Sequence, residues 1–308
     1  MEIVSLFSGA GGLDLGLVQS GHEIIWAIDI DKDAVTTYKY NIGNHIHLDD
    51  ITKMDMNTLP DCDVIVGGFP CQGFSIANLK RTINDERNLL YRSFYQAIKI
   101  KQPRFFIAEN VKGILSLGKG SVVSQIIEDF RHAGYCISVN LVNMADYGVP
   151  QTRQRVIFLG QRNDISDDML LTVPPKTHSK DGKVLPKWIT IHEAISHFPE
   201  PDEPNNFPNH VCSTYKVVTR NFTGHRVTDP SKPSPTILAR GNGGGGVVAI
   251  PHYNGNRRLT IRESASIQTF PDDFIFYGAM NSCYRQIGNA VPVRFAKLLG
   301  EILGGINI

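Results

Sequence analysis

The stretch Glu2-Ile3-Val4-Ser5-Leu6-Phe7-Ser8-Gly9-Ala10-Gly11-Gly12 decides the fold, because an apolar strand candidate runs directly into a glycine-rich turn. A helical pattern of leucines over residues 13–17 follows the turn. Glycines at the start of a helix let the backbone approach a ligand. Asp29 stands twenty residues after Gly9, a spacing at which a carboxylate can accept hydrogen bonds from ribose hydroxyls. The stretch therefore predicts a ligand-binding turn between a strand and a helix.

The same turn does not have the complete dinucleotide fingerprint. Asp14 occupies the position at which the third glycine of that fingerprint would stand, which disfavours a nicotinamide or flavin cofactor. A tight turn that needs glycine only for its positive φ angles is the structural alternative, and the turn alone does not decide between the two.

Strand and helix patterns alternate through the first half of the chain. Five short apolar runs are strand candidates: residues 3–7, 24–28, 64–66, 105–108 and 156–159. Between them, apolar residues of 89–98 and of 122–130 each fall on one helical face. This alternation predicts an α/β fold with a doubly wound, mixed but mostly parallel sheet.

The second part of the chain has a different amino-acid composition. Residues 174–235 are rich in proline, and four consecutive glycines follow at 243–246, so long regular helices are not expected there. At 308 residues, two packed units are the expected organisation, and one large α/β domain is the alternative. We predict a first domain from residues 1–165 plus 279–308, closed by a terminal helix over 285–303, and a smaller irregular domain over 166–278.

Composition and charge narrow the class of protein. The hydrophobic content of 42% is ordinary for a globular protein, and no apolar run reaches the length of a membrane span or follows a basic leader, so we expect a cytoplasmic protein without membrane contact. Five scattered cysteines without a CxxC pair support neither a disulfide framework nor a metal site. Residues 176–258 hold 11 Lys and Arg against 6 Asp and Glu, a pattern that fits a phosphate-binding surface or a solvated face equally well.

Three further motifs carry chemical groups: Phe69-Pro70-Cys71-Gln72, Glu109-Asn110-Val111 and Gln151-Thr152-Arg153-Gln154-Arg155. A lone cysteine is more often a small buried apolar residue than a nucleophile. Cys71, however, follows a strand that ends in two glycines, which brings the thiol to the carboxyl edge of the sheet. Arg153 and Arg155 are two residues apart on an expected strand and would lie on one face. Together the motifs supply a nucleophile, a proton donor and a guanidinium pair.

With the glycine-rich turn, these motifs resemble those of the cytosine-C5 DNA methyltransferases that use S-adenosylmethionine, and the match runs nearly end to end. The resemblance implies the Rossmann-like fold of methyltransferases that use this cofactor. It also implies a set of residues around S-adenosylmethionine: Phe7, Gly9, Gly11, Asp29, Ile30, Asp50, Ile51, Pro70, Leu90 and Asn289. Asp29 stands where the family more often has Glu, which keeps the charge on a shorter side chain.

The resemblance also implies roles in catalysis. Cys71 would add to C6 of a cytosine, since C5 becomes nucleophilic only after such an addition. Glu109 would assist at N3, Arg155 would contact O2, and Arg153 would support the site. The backbone carbonyl of Phe69 would accept from the exocyclic amine. The base that removes the C5 proton is not assigned.

The substrate implied is double-stranded DNA, from which the target base must be extruded. Candidate DNA contacts are Phe69, Gln72, Ser75, Arg87, Gln151, Arg220, Arg226, Thr236 and Arg240. Thr236 belongs to a Pro-Thr-Ile signature whose threonine touches phosphate in the family. A monomer in a restriction-modification system, paired with a cognate endonuclease, is the expected setting. A tRNA methyltransferase of the same superfamily is an alternative, although its Cys-Phe-Thr signature is absent here, and a catalytically silent DNA-binding relative is another.

Overall fold

The computed structural model describes residues 1–70, 89–165, 171–212, 228–239, 250–255 and 257–305. The strands are β1 (Glu2–Leu6), β2 (Glu23–Asp29), β3 (Ile46–Leu48), β4 (Val64–Gly67), β5 (Phe105–Val111), β6 (Tyr135–Asn143), β7 (Gln151–Thr152), β8 (Gln154–Arg162) and β9 (Ser234–Pro235). The α-helices are α1 (Gly12–Gln19), α2 (Lys32–Asn41), α3 (Leu89–Lys101), α4 (Ser121–His132), α5 (Ile191–Ile195), α6 (Ile261–Ile267), α7 (Met280–Asn289) and α8 (Val293–Gly304).

Seven strands form one sheet in the order β3-β2-β1-β4-β5-β8-β6. β1 pairs in parallel with β2 and β4, and β2–β3 and β4–β5 are also parallel. β8 is antiparallel to both of its neighbours, β5 and β6. The predicted doubly wound, mixed and mostly parallel sheet is therefore confirmed.

Both faces of this sheet are buried, which explains why its central strands are apolar throughout rather than alternating with polar residues. Successive residues of a strand point to opposite faces. Thus Ile3 and Val64 belong to a first core, packed under α1, α2 and α8, whereas Val4 and Ile65 belong to a second core under α3 and α4. The helices predicted over residues 89–98 and 122–130 are confirmed as α3 and α4.

A third core lies outside the sheet. It gathers apolar side chains from α5, α6 and residues 270–276, and it extends to Cys283, Ile287 and Val293 of the last two helices. The division into domains at residues 165 and 278 stays a prediction. No helix among the described residues combines the length and apolar character that a membrane crossing requires.

Two local predictions need correction. The expected single terminal helix over 285–303 is two helices, α7 and α8, separated at Ala290–Pro292, because proline begins a helix far more readily than it continues one. The two edge strands, β3 and β6, were not predicted, and β6 is the longer of them. Most of its residues are half-buried, since it has a neighbour on one side only, and its sequence therefore carries no strongly apolar run.

The helices α1 and α8 approach each other closely through Gly16. A Cβ atom at Gly16 would lie 2.4 Å from the Ala296 Cβ and 2.5 Å from the Val293 carbonyl oxygen. This contact fixes the terminal helix against the helix that follows the glycine-rich turn.

We predict that Gly16→Ala lowers the free energy of unfolding by about 1–3 kcal/mol, because α8 must move to admit the methyl group. Chemical denaturation of the wild type and the variant measures the change. Gly113→Ala is the matched control, since its Cβ would meet only the Val111 Cγ2 atom, at 4.0 Å. Equal losses in both variants would show that α1 and α8 are not tightly packed at this point.

Candidate active site

The order of the strands in the sheet indicates where a ligand would bind. From β1 the chain proceeds to β2 and β3 on one side and returns to β4 and β5 on the other, so the order reverses between β1 and β4. In doubly wound sheets, ligands bind at the carboxyl ends of the strands beside such a reversal. The glycine-rich turn follows β1 there, and the Phe69-Pro70-Cys71-Gln72 motif follows β4.

The turn after β1 is a series of left-handed residues. Phe7, Gly9 and Gly11 have φ angles of 58°, 55° and 86°. The Gly9 amide donates to Asp29 Oδ2 at 2.8 Å, which ties the turn to the end of β2. A Cβ atom at Gly9 would meet no atom within 4 Å, so the backbone here faces open space that a ligand can occupy.

The residues predicted around the cofactor line the ends of β2 and β3. Asp29 Oδ1 accepts from the Asp31 amide at 2.8 Å, and burial raises the pKa of the Asp29 carboxyl. The next side chain, Ile30, is 70% exposed. Beyond β3, Asp50 caps a short 3-10 helix by accepting from the Thr52 amide at 3.0 Å, and Ile51 is buried behind it.

The other three predicted cofactor residues lie around this edge. Leu90 is half-buried at the start of α3 and packs on the second core. Asn289 is the exposed last residue of α7. Pro70 is exposed after β4.

A buried polar network under the turn was not predicted from the sequence. Asp14 is fully buried in α1 and accepts from the Ser5 hydroxyl at 2.7 Å and from the Tyr38 hydroxyl at 2.8 Å. The Tyr38 hydroxyl also lies 2.9 Å from His45 Nε2. Burial raises the pKa of Asp14 to about 6, although the hydrogen bonds from Ser5 and Tyr38 oppose that rise. The glycine-to-aspartate change in the fingerprint was the only sign of this network in the sequence.

Glu109 and Arg155 form an ion pair on the other side of the reversal. The antiparallel register pairs Val111 with Arg155, so the start of β8 meets the end of β5. Arg155 Nε lies 2.7 Å from Glu109 Oε1, and both side chains are mostly buried. The two side chains therefore form one charged cluster at the end of β5 and the start of β8.

Asn110 connects this pair to the cysteine motif. Its Nδ2 donates to the Phe69 carbonyl oxygen at 2.9 Å, and the bond is buried. The Phe69 ring packs edge-on against Tyr91 in the second core. Phe69 is thus held at both backbone and side chain, directly before Pro70 and Cys71. The sequence marks Asn110 only as a neighbour of Glu109, and its own contact was not predicted.

The two arginines of the third motif do not share one strand, and that prediction is wrong. The strand is interrupted at Arg153, between β7 and β8, because β7 pairs with β9 in a separate sheet. Arg153 is buried and donates to the carbonyl oxygens of Ile237, Gly288 and Ala290 at 2.9, 3.0 and 3.2 Å. Burial, and less strongly the charge of Arg155, lower its pKa. Arg153 therefore positions backbone segments, whereas Arg155 contacts Glu109.

Gln151 also differs from the expectation of a DNA contact. Its side chain is fully buried, and its amide donates to Gln268 Oε1 and accepts from the Ile237 amide, both at 2.8 Å. Thr236 is half-exposed and donates to the Thr152 carbonyl oxygen at 2.8 Å. The structure thus joins the Pro-Thr-Ile signature to the arginine motif through β7 and β9.

Several predicted site residues lie outside the described residues: Cys71, Gln72, Ser75, Arg87, Arg220, Arg226 and Arg240. The described residues hold no group of three or more His, Cys, Asp and Glu side chains that could bind a metal ion. Among the described residues, the candidate site is formed by the turn after β1, the ends of β2 and β3, and the cluster of Phe69, Glu109 and Arg155.

Comparison with known proteins decides the family. The family model of the C-5 cytosine-specific DNA methylases matches residues 1–304. The chain belongs to this family.

Two similar proteins are bacterial Type II methyltransferases. The methylase is 40% identical to the Type II methyltransferase M.NgoFVII of Neisseria gonorrhoeae, over 94% of this chain and 83% of the relative. It is 38% identical to the Type II methyltransferase M.BsuRI of Bacillus subtilis, over 98% of this chain and 78% of the relative.

Solved structures show the same fold. The Dnmt2 methyltransferase of S. pombe superposes with a TM-score of 0.74 over all of both chains, at 19% identity. The Entamoeba histolytica methyltransferase EhMeth superposes with a TM-score of 0.71 over 100% of this chain and 99% of the other, at 17% identity.

The raised pKa of Asp14 makes the stability of the methylase depend on pH. A carboxyl group that binds its proton more tightly when folded stabilises the fold at low pH, and that contribution is lost as the pH rises through about 6. We compare the free energy of unfolding of the wild type with that of Asp14→Asn at each pH. We predict that the difference, wild type minus variant, falls by roughly 1 kcal/mol from about pH 5 to about pH 7. Denaturant titrations measure both, with the exposed Asp202→Asn as the control. Parallel pH curves for the wild type and Asp14→Asn would contradict the assignment.

Proposed function

We propose that this enzyme transfers a methyl group from S-adenosylmethionine to C5 of a cytosine that is extruded from a specific short sequence of duplex DNA. The observation that carries the proposal is the Glu109–Arg155 ion pair at 2.7 Å, beside the Phe69 carbonyl that Asn110 holds. Donors and acceptors of these kinds match the edge of a cytosine ring. Cys71 follows Phe69 by two residues.

The turn after β1 fits the cofactor. The open space at Gly9 leaves room for a ligand against the backbone, and the lack of a third fingerprint glycine suits a cofactor that has no pyrophosphate. Asp29 would accept hydrogen bonds from ribose hydroxyls, and Phe7, Ile30, Asp50, Ile51, Leu90 and Asn289 would surround the rest. When bound, S-adenosylmethionine supplies an electrophilic methyl group.

Cys71 and the cluster of Phe69, Glu109 and Arg155 would prepare the cytosine for methylation. The Cys71 thiolate would form a bond to C6, and the ring electrons displaced onto N3 would be balanced by a proton delivered through Glu109. Because Glu109 is the carboxylate partner of Arg155 before the base binds, it must first take up that proton from solvent. C5 thereby gains the nucleophilic character that methylation needs. Once C5 carries the new methyl group, removal of the C5 proton would expel Cys71 as a thiolate, and N3 would return its proton to the Glu109 carboxylate, which restores the neutral ring. The described residues do not identify the base for that last proton.

The Phe69 carbonyl would select cytosine, whereas Arg155 would orient the ring, because O2 is common to cytosine, uracil and thymine. The Phe69 carbonyl oxygen has a second lone pair beside its bond from Asn110, and it would accept from the exocyclic amine. Arg155 has five N–H donors, so it can contact O2 while it keeps its ion pair with Glu109. Uracil and thymine lack the amine and would leave the carbonyl without its partner.

DNA would lie along the second part of the chain. Thr236, placed beside the arginine motif by the β7–β9 pairing, would contact phosphate near the extruded nucleotide. Arg220, Arg226 and Arg240 would contribute further contacts, as would Gln72, Ser75 and Arg87 beside the base. Since relatives are named Type II methyltransferases, we also propose a cognate endonuclease. Action as a monomer is a separate proposal, which their names do not address.

Labelled S-adenosylmethionine, offered with random duplex DNA and with tRNA in parallel, tests this function. We expect label only in DNA, at C5 of cytosine within one short sequence, when the modified bases are mapped. Label only in tRNA would show that the enzyme is a tRNA methyltransferase. Retained cofactor binding without transfer would make it a silent relative.

In the same assay, Cys71→Ser should abolish transfer, because a serine hydroxyl is a far weaker nucleophile than a thiolate. Cys136→Ser is the matched control, since Cys136 is a free thiol on β6 that donates to Asn163 Oδ1 at 3.3 Å. Near-normal turnover by Cys71→Ser would refute the covalent mechanism.

Glu109→Gln should lower turnover by about 10²–10⁴-fold, because the amide can accept from Arg155 but cannot give a proton to N3. Cofactor affinity, measured by calorimetry, should not change. The control is Glu128→Gln, an exposed residue of α4 that pairs with Arg131. Turnover within a few-fold of the wild type would exclude Glu109 as the proton donor.

A further inference from the structure

Ser8 is the residue at which the turn after β1 is fixed. It stands between Phe7 and Gly9, which both have positive φ angles, and a bulky residue such as Phe7 keeps such an angle only where its surroundings enforce it. The Ser8 amide donates to the Ile28 carbonyl oxygen at 3.1 Å, and the Ser8 carbonyl oxygen accepts from the Gly11 amide at 2.9 Å. The backbone of Ser8 is therefore held from β2 and from the residue that precedes α1.

The side chain of Ser8 is connected to the buried carboxylate of Asp14 through Ser5. The Ser8 hydroxyl donates to Ser5 Oγ at 3.0 Å and also lies 3.2 Å from the Ser5 carbonyl oxygen. The Ser5 hydroxyl donates in turn to Asp14 Oδ1 at 2.7 Å, and both residues are buried. A hydrogen bond to an ionised acceptor is stronger than one between neutral groups, and it polarises the next bond of a chain. The charge of Asp14 therefore orients both hydroxyl groups.

Tyr38 supports the same carboxylate from α2. Its hydroxyl donates to Asp14 Oδ2 at 2.8 Å, and because that hydroxyl has only one proton, His45 Nε2 donates to the Tyr38 oxygen at 2.9 Å. The Tyr38 ring also packs against the turn, since a Cβ atom at Gly11 would lie 2.9 Å from Tyr38 Cδ2. Each oxygen of the Asp14 carboxylate thus has its own donor, which suits the ionised form. Since the pKa of Asp14 is about 6, that form predominates at about pH 8.

The hydrogen-bonded chain ends at the backbone that faces open space. Gly9 follows Ser8 directly, and the Gly9 amide donates to Asp29 Oδ2 at 2.8 Å. A shift of Ser8 would therefore move both the space at Gly9 and the carboxyl group expected to accept from the ribose hydroxyls. Asp14 itself is fully buried, so it acts on this space only through the residues that it holds.

We propose that Asp14 is a positioning residue for the cofactor, a role that rests on the proposed function. Through Ser5 it holds Ser8 in place. The residues on either side of Ser8 then keep the left-handed conformations that leave room for S-adenosylmethionine. Binding to a turn that is already ordered avoids the free-energy cost of ordering it, so the network contributes to cofactor affinity rather than to the transfer of the methyl group.

Calorimetric titration with S-adenosylmethionine at about pH 8 tests this role. We expect Ser5→Ala and Asp14→Ala each to raise the dissociation constant by about tenfold, because either change breaks the chain between Asp14 and Ser8. Turnover at saturating cofactor should stay within about threefold of the wild type. Since both changes break one chain, the double variant should bind no more weakly than Asp14→Ala alone, whereas independent effects would multiply to about a hundredfold.

Ser264→Ala is the matched control, because Ser264 is a buried serine of α6 whose hydroxyl donates to the Thr260 carbonyl oxygen at 2.8 Å. Equal dissociation constants for Ser5→Ala and Ser264→Ala would overturn the proposal, even with a lower thermal midpoint, since the network would then only stabilise the fold. A multiplied loss in the double variant would also overturn it. Ser5→Ala decides the question alone if Asp14→Ala does not fold. Wild-type protein that fails to bind the cofactor would instead refute the proposed use of S-adenosylmethionine.

Discussion

The antiparallel pairing of β8 with β5 is the constraint on which the site depends. Because β8 runs against the sheet, its first residues lie beside the last residues of β5, at the edge where parallel strands of this fold present their functional groups. Arg155 thereby meets Glu109, although 46 residues separate them in the sequence. A parallel β8 would have carried the arginine motif to the opposite edge, away from the end of β4.

Buried polar contacts then join residues 237, 268, 288 and 290 to this edge of the sheet. Arg153 holds the Ile237, Gly288 and Ala290 carbonyls, and Gln151 holds both Gln268 and the Ile237 amide. Hydrogen bonds to a charged group contribute about 1.5–3 kcal/mol each, so these contacts fix the Thr236 segment relative to the ion pair. The first arginine and the glutamine of the motif thus position backbone, whereas Arg155 contacts Glu109.

The sequence predicted the central strands of the sheet, and it singled out Glu109 and Arg155, which the structure places in contact. Apolar runs and glycine-rich strand ends locate β1, β4 and β5, because burial on both faces leaves a strong local signal. It could not show that the strand breaks at Arg153, since the cause is pairing of β7 with β9, some eighty residues away. The Asp14 network was missed for the same reason: its partners, Ser5 and Tyr38, are brought to it only by the fold.

Covalent trapping tests the central claim, that Cys71 attacks the base which Glu109 and Arg155 hold. Duplex DNA carrying 5-fluorocytosine at the methylated position would be incubated with the enzyme and S-adenosylmethionine, and the digested complex would be analysed by mass spectrometry. Fluorine at C5 cannot leave as a proton does, so the bond to C6 persists. We predict one DNA adduct, on the peptide that contains Cys71. An adduct on another residue, or none while unmodified DNA is methylated, would contradict the account.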